Sequence, residues 1–134
     1  MDNKSKNFYK KDIFVASIDI GTNSTHLLIA QIDKDLKSFT IKFTEKSTTR
    51  LGERDEDGNL TEVSINRVLE TLKRFKEYCF SYGVERILAA ATSAVREASN
   101  GKDLLNKVRD EVGFQIELIS GAEEARLIYL GVLS

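Results

Sequence analysis

The sequence contains no proline and no tryptophan, and only one cysteine, one histidine and one methionine. Without proline there is no X-Pro bond to isomerise, so folding has no slow native cis-proline step. Turns must be made by the other turn formers, glycine, asparagine and serine. Cys79 has no partner for an internal disulfide, and no signal peptide is visible, so the chain reads as cytoplasmic. No apolar run approaches the roughly 18 residues that would suggest a membrane span. Charge of one sign is also missing. Twenty basic residues stand against 21 acidic ones, a net charge of −1, so bulk attraction to nucleic acid or to an anionic membrane is not indicated. A single histidine excludes a multi-histidine metal centre and leaves no Ser-His-Asp pattern. Two familiar phosphate-binding devices, GxxxxGK[ST] and GxGxxG, are absent as well.

What remains is ordinary globular material. The 134 residues are 41% hydrophobic, enough for one domain that buries roughly two thirds of its unfolded surface. No internal repeat or low-complexity linker divides the chain. Residues 1–12 (MDNKSKNFYKKD) read as a solvated tail and residues 13–134 as one domain.

The run Ile13 to Ile20 (IFVASIDI) is almost wholly apolar and stops at Gly21, the pattern of a buried central strand. GTNS follows as a turn. His26 to Ile32 (HLLIAQI) predicts a second strand, and Asp33 to Lys37 a polar connection. From Phe39 to Thr44 the residues alternate, which sets Phe39, Ile41 and Phe43 on one face of a third, half-buried strand. Gly52 to Asn59 (GERDEDGN) is a charged loop expected to be simply solvated; it lacks an EF-hand pattern. Ile65, Leu69, Leu72, Phe75 and Cys79 recur at helical spacing, so a long helix is expected from Thr61 to Tyr82, capped by Thr61 and ended by Gly83. Arg86 to Ala91 predicts a buried strand, Thr92 to Ala98 a helical turn, Asp103 to Val112 a helix and Gln115 to Ile119 a fifth strand. A last helix begins at Ser120. This β-β-β-α-β-α-β-α order gives an α/β domain with a mixed five-stranded sheet and flanking helices. The ribonuclease H-like fold has that order, though order alone leaves other mixed folds open.

Three segments could carry chemistry. In the first, Asp19 to Ser24 (DIGTNS), Gly21 permits close backbone approach to an anion, and Thr22, Asn23 and Ser24 add donors. Asp19 at the strand end could hold a hydrated Mg²⁺, which takes only one or two protein carboxylates. The same residues also suit a plain hairpin turn. In the second, Ala91 to Ala98 (ATSAVREA), Thr92 or Ser93 would cap a helix start whose N–H groups point outward, and Arg96 could grip phosphate with paired donors. A capped surface helix with a solvated arginine is the plainer account. In the third, Ser120 to Val132 (SGAEEARLIYLGV), Ser120 and Glu123 have capping-box spacing. Glu124 is left as a general base for water, or else as a favourable acid in a first helical turn. His26 and Cys79 read as packing residues.

Together these segments resemble the exopolyphosphatase/guanosine pentaphosphate phosphatase (Ppx/GppA) family. DIGTNS is similar to its first phosphate loop, DxGSNS, with Thr22 in place of serine. ATSAVREA resembles the next motif and SGAEEARLIYLGV the third, in the same order over nearly the whole chain. The resemblance implies an actin-like ATPase superfamily fold built from two ribonuclease H-like domains with the site between them. It implies Mg²⁺-dependent removal of the terminal phosphate of inorganic polyphosphate, or of the 5′ γ-phosphate of pppGpp. By it, Glu124 activates water, Gly21, Thr22, Asn23 and Ser24 form the phosphate loop, Arg96 helps hold the phosphate, and Asp19 contacts metal or water. The family's second loop, DxGGGS, would follow Ser134. The chain is therefore expected to be the N-terminal domain of a longer enzyme, inactive alone, whose partners are its substrate, the C-terminal domain and, compatibly, a second copy. The other readings are a nucleotide-binding half of a kinase of the same superfamily, a polyphosphate or (p)ppGpp sensor, and a non-catalytic scaffold.

Overall fold

A computed structural model describes residues 12–33, 35 and 37–118. Within them the chain forms β1 (Asp12–Ile20), β2 (Ser24–Asp33), β3 (Ser38–Thr48), α1 (Glu62–Tyr82), β4 (Val84–Ala91), α2 (Ser93–Glu97), α3 (Gly101–Glu111) and β5 (Ile116–Leu118). The five strands make one sheet in the order β3-β2-β1-β4-β5. The first three form an antiparallel meander, and β4 and β5 add in parallel. This is the ribonuclease H-like arrangement expected from the sequence, as far as the described residues reach. The helix expected from Ser120, with Glu123 and Glu124, falls outside the described residues.

The central position of β1 explains its composition. It is paired on both edges and covered on the helix side, so nearly every residue from Val15 to Ile20 is buried. Ala16, Ile18 and Ile20 of β1, Leu27 and Ile29 of β2, and Ala89 and Ala91 of β4 face the helices. There they form one cluster with Val68, Leu72 and Phe75 of α1 and Leu104 and Val108 of α3. Val68, Leu72 and Phe75 are fully buried, each worth about 1.5–3 kcal/mol relative to exposure. Thr61 caps α1, its Oγ1 accepting from the Ser64 N–H at 3.1 Å. Gly83 ends the helix in the left-handed region at φ 69°, its N–H returned to the Cys79 and Phe80 carbonyls. Both caps fall where the sequence places them.

The third strand departs from its pattern. Phe43 lies opposite Ile29, but Ile41 lies opposite Ala30, so Lys42 is the extra residue of a β-bulge. Because side chains alternate faces with period two, one inserted residue reverses every face beyond it. Phe43 therefore turns to the helix side and stacks with Tyr78 and Tyr82, ring centroids 4.7 and 5.6 Å away. Ile41 and Phe39 turn to the other side, where they remain 53% and 38% exposed. The expectation that Phe39, Ile41 and Phe43 share a face is thus corrected.

Helix α3 also starts earlier than its apolar spacing implies, at Gly101 rather than Asp103. A Cβ on Gly101 would stand 2.1 Å from the Val95 carbonyl oxygen. Only glycine lets the helix begin against α2 there. Among the described residues no helix is long and apolar enough to cross a membrane.

Cys79 sits in the core with 3% exposure, and burial raises its thiol from an ordinary 9.0 to about 11. The folded state then holds this proton more tightly than the unfolded one. The associated stability is complete below about pH 9 and is lost as the pH rises toward about 11. A thiol reagent at pH 8 should leave Cys79 untouched in native protein and label it fully in denaturant. Fast labelling without denaturant would contradict the burial.

Candidate functional site

The candidate residues gather where β1 and β4 end. In the parallel pair, Ile20 lies beside Ala91, and the Thr92 N–H reaches the Ile20 carbonyl at 3.4 Å. The DIGTNS turn and the ATSAVREA segment therefore leave the same edge of the sheet side by side. Asp19 closes β1 on the face away from α1 and α3. Cross-strand register puts it in one row with His26 and Lys46. Asp19 Oδ1 is buried and has no hydrogen-bond partner among the described residues. A buried carboxylate oxygen left bare is costly, and a cation is the natural way to satisfy it. The residues fit a hydrated Mg²⁺. No cluster of three or more metal-binding side chains occurs among the described residues, and an ion that keeps most of its waters does not require one.

The turn itself is fixed from outside. The Gly21 N–H donates to the Ser24 carbonyl at 3.0 Å, closing the turn. The Asn23 carbonyl accepts from the Thr49 and Arg50 N–H groups, both at 3.0 Å, and the Thr22 carbonyl accepts from Gly52 N–H at 2.9 Å. Gly52 packs so closely that a Cβ there would come within 2.8 Å of the Thr22 methyl. A trans peptide points its C=O and N–H in opposite directions. Tying the Thr22 and Asn23 carbonyls to one side therefore turns the N–H groups of Asn23 and Ser24 to the other. Of these, the Asn23 N–H has no acceptor among the described residues, and the N–H of the neighbouring Thr22 has none either. Exposed, unpaired N–H groups on a fixed turn make an anion cradle.

The same outer segment reaches the second motif. Arg54 Nη2 donates to the Ala94 carbonyl, and Arg54 bridges to Leu60 across the loop. Asn100 holds both backbone groups of Leu60, its Oδ1 accepting from the N–H at 2.7 Å and its Nδ2 donating to the carbonyl at 3.2 Å. The Ser99 N–H donates to the Gly58 carbonyl at 3.2 Å. Residues 49–60 are thus a bracket joining the two motifs, and the expectation of a merely solvated GERDEDGN loop is corrected. Composition concealed this because the anchoring bonds are mostly backbone bonds, and the loop's four acidic side chains do face water.

Other expectations fare differently. Thr92 precedes α2 as expected but makes no side-chain capping bond, and α2 has only five residues. Arg96 lies on its exposed side. His26 is exposed rather than packed, because its position on β2 faces away from the helices. Glu124 is outside the described residues. Sequence reasoning missed Thr49, Arg50 and Gly52. The one available signal was the pair of breaks at Arg50 and Gly52 just after the third strand. Arg50 adopts φ 55°, a left-handed conformation that costs a non-glycine residue about 1–2 kcal/mol.

The Ppx/GppA phosphatase family model matches residues 28–134, and the chain belongs to that family. It is 40% identical over 133 residues to a bifunctional 3-dehydroquinate synthase/phosphatase of Fusobacterium nucleatum, covering 94% of this chain and 20% of that protein. It is 34% identical over 116 residues to exopolyphosphatase 1 of Mycobacterium tuberculosis, covering 86% of this chain and 33% of the relative. The crystal structure of the Aquifex aeolicus Ppx/GppA family member superposes with a TM-score of 0.81 at 38% identity, over 90% of this chain and 39% of that one. An exopolyphosphatase from Cytophaga hutchinsonii gives 0.78 at 39% identity, over 89% and 38%. The chain therefore spans between a fifth and two fifths of the length of these relatives.

Replacing Asn100 by alanine should lower unfolding stability by about 1–3 kcal/mol, because it leaves the backbone of buried Leu60 without partners. Urea titration checks this. A change below about 0.5 kcal/mol, the range of an ordinary surface substitution, would show that the bracket is not anchored there.

Proposed function

We propose that this chain is the N-terminal, phosphate-binding domain of a longer phosphohydrolase that releases terminal phosphate from inorganic polyphosphate. The observation that carries the reading is the turn at Gly21–Ser24. The Thr22 and Asn23 carbonyls are tied back, the Thr22 and Asn23 N–H groups have no acceptor among the described residues, and the turn stands beside Asp19 Oδ1, which has no hydrogen-bond partner among them either. Membership of the Ppx/GppA family supports the reaction class. Phosphoryl transfer needs positioning and charge neutralisation more than covalent chemistry. Gly21, Thr22, Asn23 and Ser24 hold the terminal phosphoryl oxygens, and Arg96, one strand away, adds a cation. Asp19 would hold Mg²⁺, which when bound neutralises charge on the phosphate. Glu124 orients and deprotonates the attacking water. The 5′ γ-phosphate of pppGpp presents the same terminal group, and the two substrates are separated by assay rather than by this domain.

The experiment follows phosphate release by the full-length protein from long-chain polyphosphate and from pppGpp, with Mg²⁺ and after its chelation. Release should depend on Mg²⁺ and favour polyphosphate. Glu124→Ala should lower turnover by about a hundredfold or more with the fold intact, as loss of a general base does. Residues 1–134 alone should fold and release little. No release from either substrate by folded full-length protein would sink the proposal and favour a kinase or a sensor, and faster release from pppGpp would reassign the substrate.

A further inference from the structure

The bracket carries a residue that its scaffolding role does not explain. Arg50 donates its backbone N–H to Asn23 of the phosphate turn, yet any residue other than proline supplies that bond. Its φ of 55° suits glycine or asparagine far better than arginine. Among the described residues, the one other non-glycine with positive φ is Lys37, in the β2–β3 hairpin turn. Arg50 is exposed, and its guanidinium has no partner among the described residues. Among the described residues no ion pair joins it to an acid of its own loop. Glu53 is held by Arg67 at 2.9 Å. Asp55 accepts from the Asp57 and Asn59 N–H groups at 2.8 and 2.9 Å. A strained backbone that presents an unpaired cation one hydrogen bond from an anion cradle calls for a functional explanation.

We propose that Arg50 binds the phosphate chain of the substrate, at the phosphoryl group next to the one held by the turn. The placement follows from the peptide geometry. The bracket holds the carbonyl side of Thr22 and Asn23, and the cradle opens on the N–H side. Arg50 therefore flanks the cradle instead of lining it, and a long, planar, always-charged side chain is suited to reach an adjoining phosphate. The ligand class is a linear anion with at least two consecutive phosphoryl groups. This inference rests on the phosphohydrolase reading above.

The test compares Arg50→Gly and Arg50→Lys with the parent in the full-length protein carrying Glu124→Ala, so that ligand is not consumed. Tripolyphosphate and orthophosphate are titrated by calorimetry, and thermal midpoints are recorded. Glycine removes the guanidinium and relieves the left-handed strain, so misfolding is not the expected consequence. Arg50→Gly should weaken tripolyphosphate about ten- to a hundredfold, the range for hydrogen bonds to a charged group. Orthophosphate affinity should stay unchanged and the midpoint equal or higher, while Arg50→Lys should fall between the two. Unchanged tripolyphosphate affinity in Arg50→Gly would overturn the assignment and leave the phosphohydrolase reading standing. An equal loss for both ligands would also overturn it, since the turn itself would then have been disturbed. A parent protein that binds no tripolyphosphate would remove the polyphosphate reading and this inference with it.

Discussion

The parallel pairing of β1 with β4 is the contact on which the site depends. Parallel strands cannot be joined by a tight turn, so the chain from the end of β3 to the start of β4 must leave the sheet and return. That excursion contains α1, which fills the helix side of the sheet, and the bracket, which closes over the strand ends. The register of the pair, Ile20 beside Ala91, then sets the DIGTNS turn and the ATSAVREA segment at one edge. A slip of one residue would exchange the two faces of β4 and move the second motif away from the first. The fully buried side chains of Ile18 and Ile20 against Ala89 and Ala91 oppose that slip.

The bracket solves a second problem. A phosphate cradle needs backbone N–H groups that are both unpaired and fixed. Those demands conflict, since an unpaired peptide in a mobile turn can rotate. Here the carbonyl of the Thr22–Asn23 peptide is anchored and its N–H has no acceptor among the described residues. The anchors of the turn come from Thr49, Arg50 and Gly52, and the bracket is held at its far end by Arg54 on Ala94 and Asn100 on Leu60. Pre-organisation of this kind lets donors bind an anion without first being ordered. Asp19 Oδ1 is likewise buried with no hydrogen-bond partner among the described residues.

Family membership and local geometry support each other but speak to different levels. The match to the Ppx/GppA phosphatase family over residues 28–134 begins after the DIGTNS turn. The turn's own hydrogen bonds are therefore a separate observation, on residues that match does not reach. The relatives are longer than this chain, which spans between a fifth and two fifths of their length.

Local signals determined much of the protein. The apolar run ending at Gly21, the helical stripe from Ile65 to Cys79, the Thr61 and Gly83 caps and the element order were all legible, because each depends on residues near one another in the chain. So were the turn chemistry of DIGTNS and the resemblance that drew its three motifs together. The bulge at Lys42 was not legible, because it is a property of how β3 pairs with β2 and the alternation of Phe39, Ile41 and Phe43 is the same with or without it. Nor was the early start of α3, which depends on the Val95 carbonyl pressing on Gly101. The bracket was hidden for the same reason: its bonds run mostly from backbone groups, which every sequence carries, to partners fixed only after the sheet has formed. The sequence therefore determined which residues form the turn and its neighbouring motif. Only the tertiary structure decided which of their backbone groups are paired, because the partners come from residues 49–60.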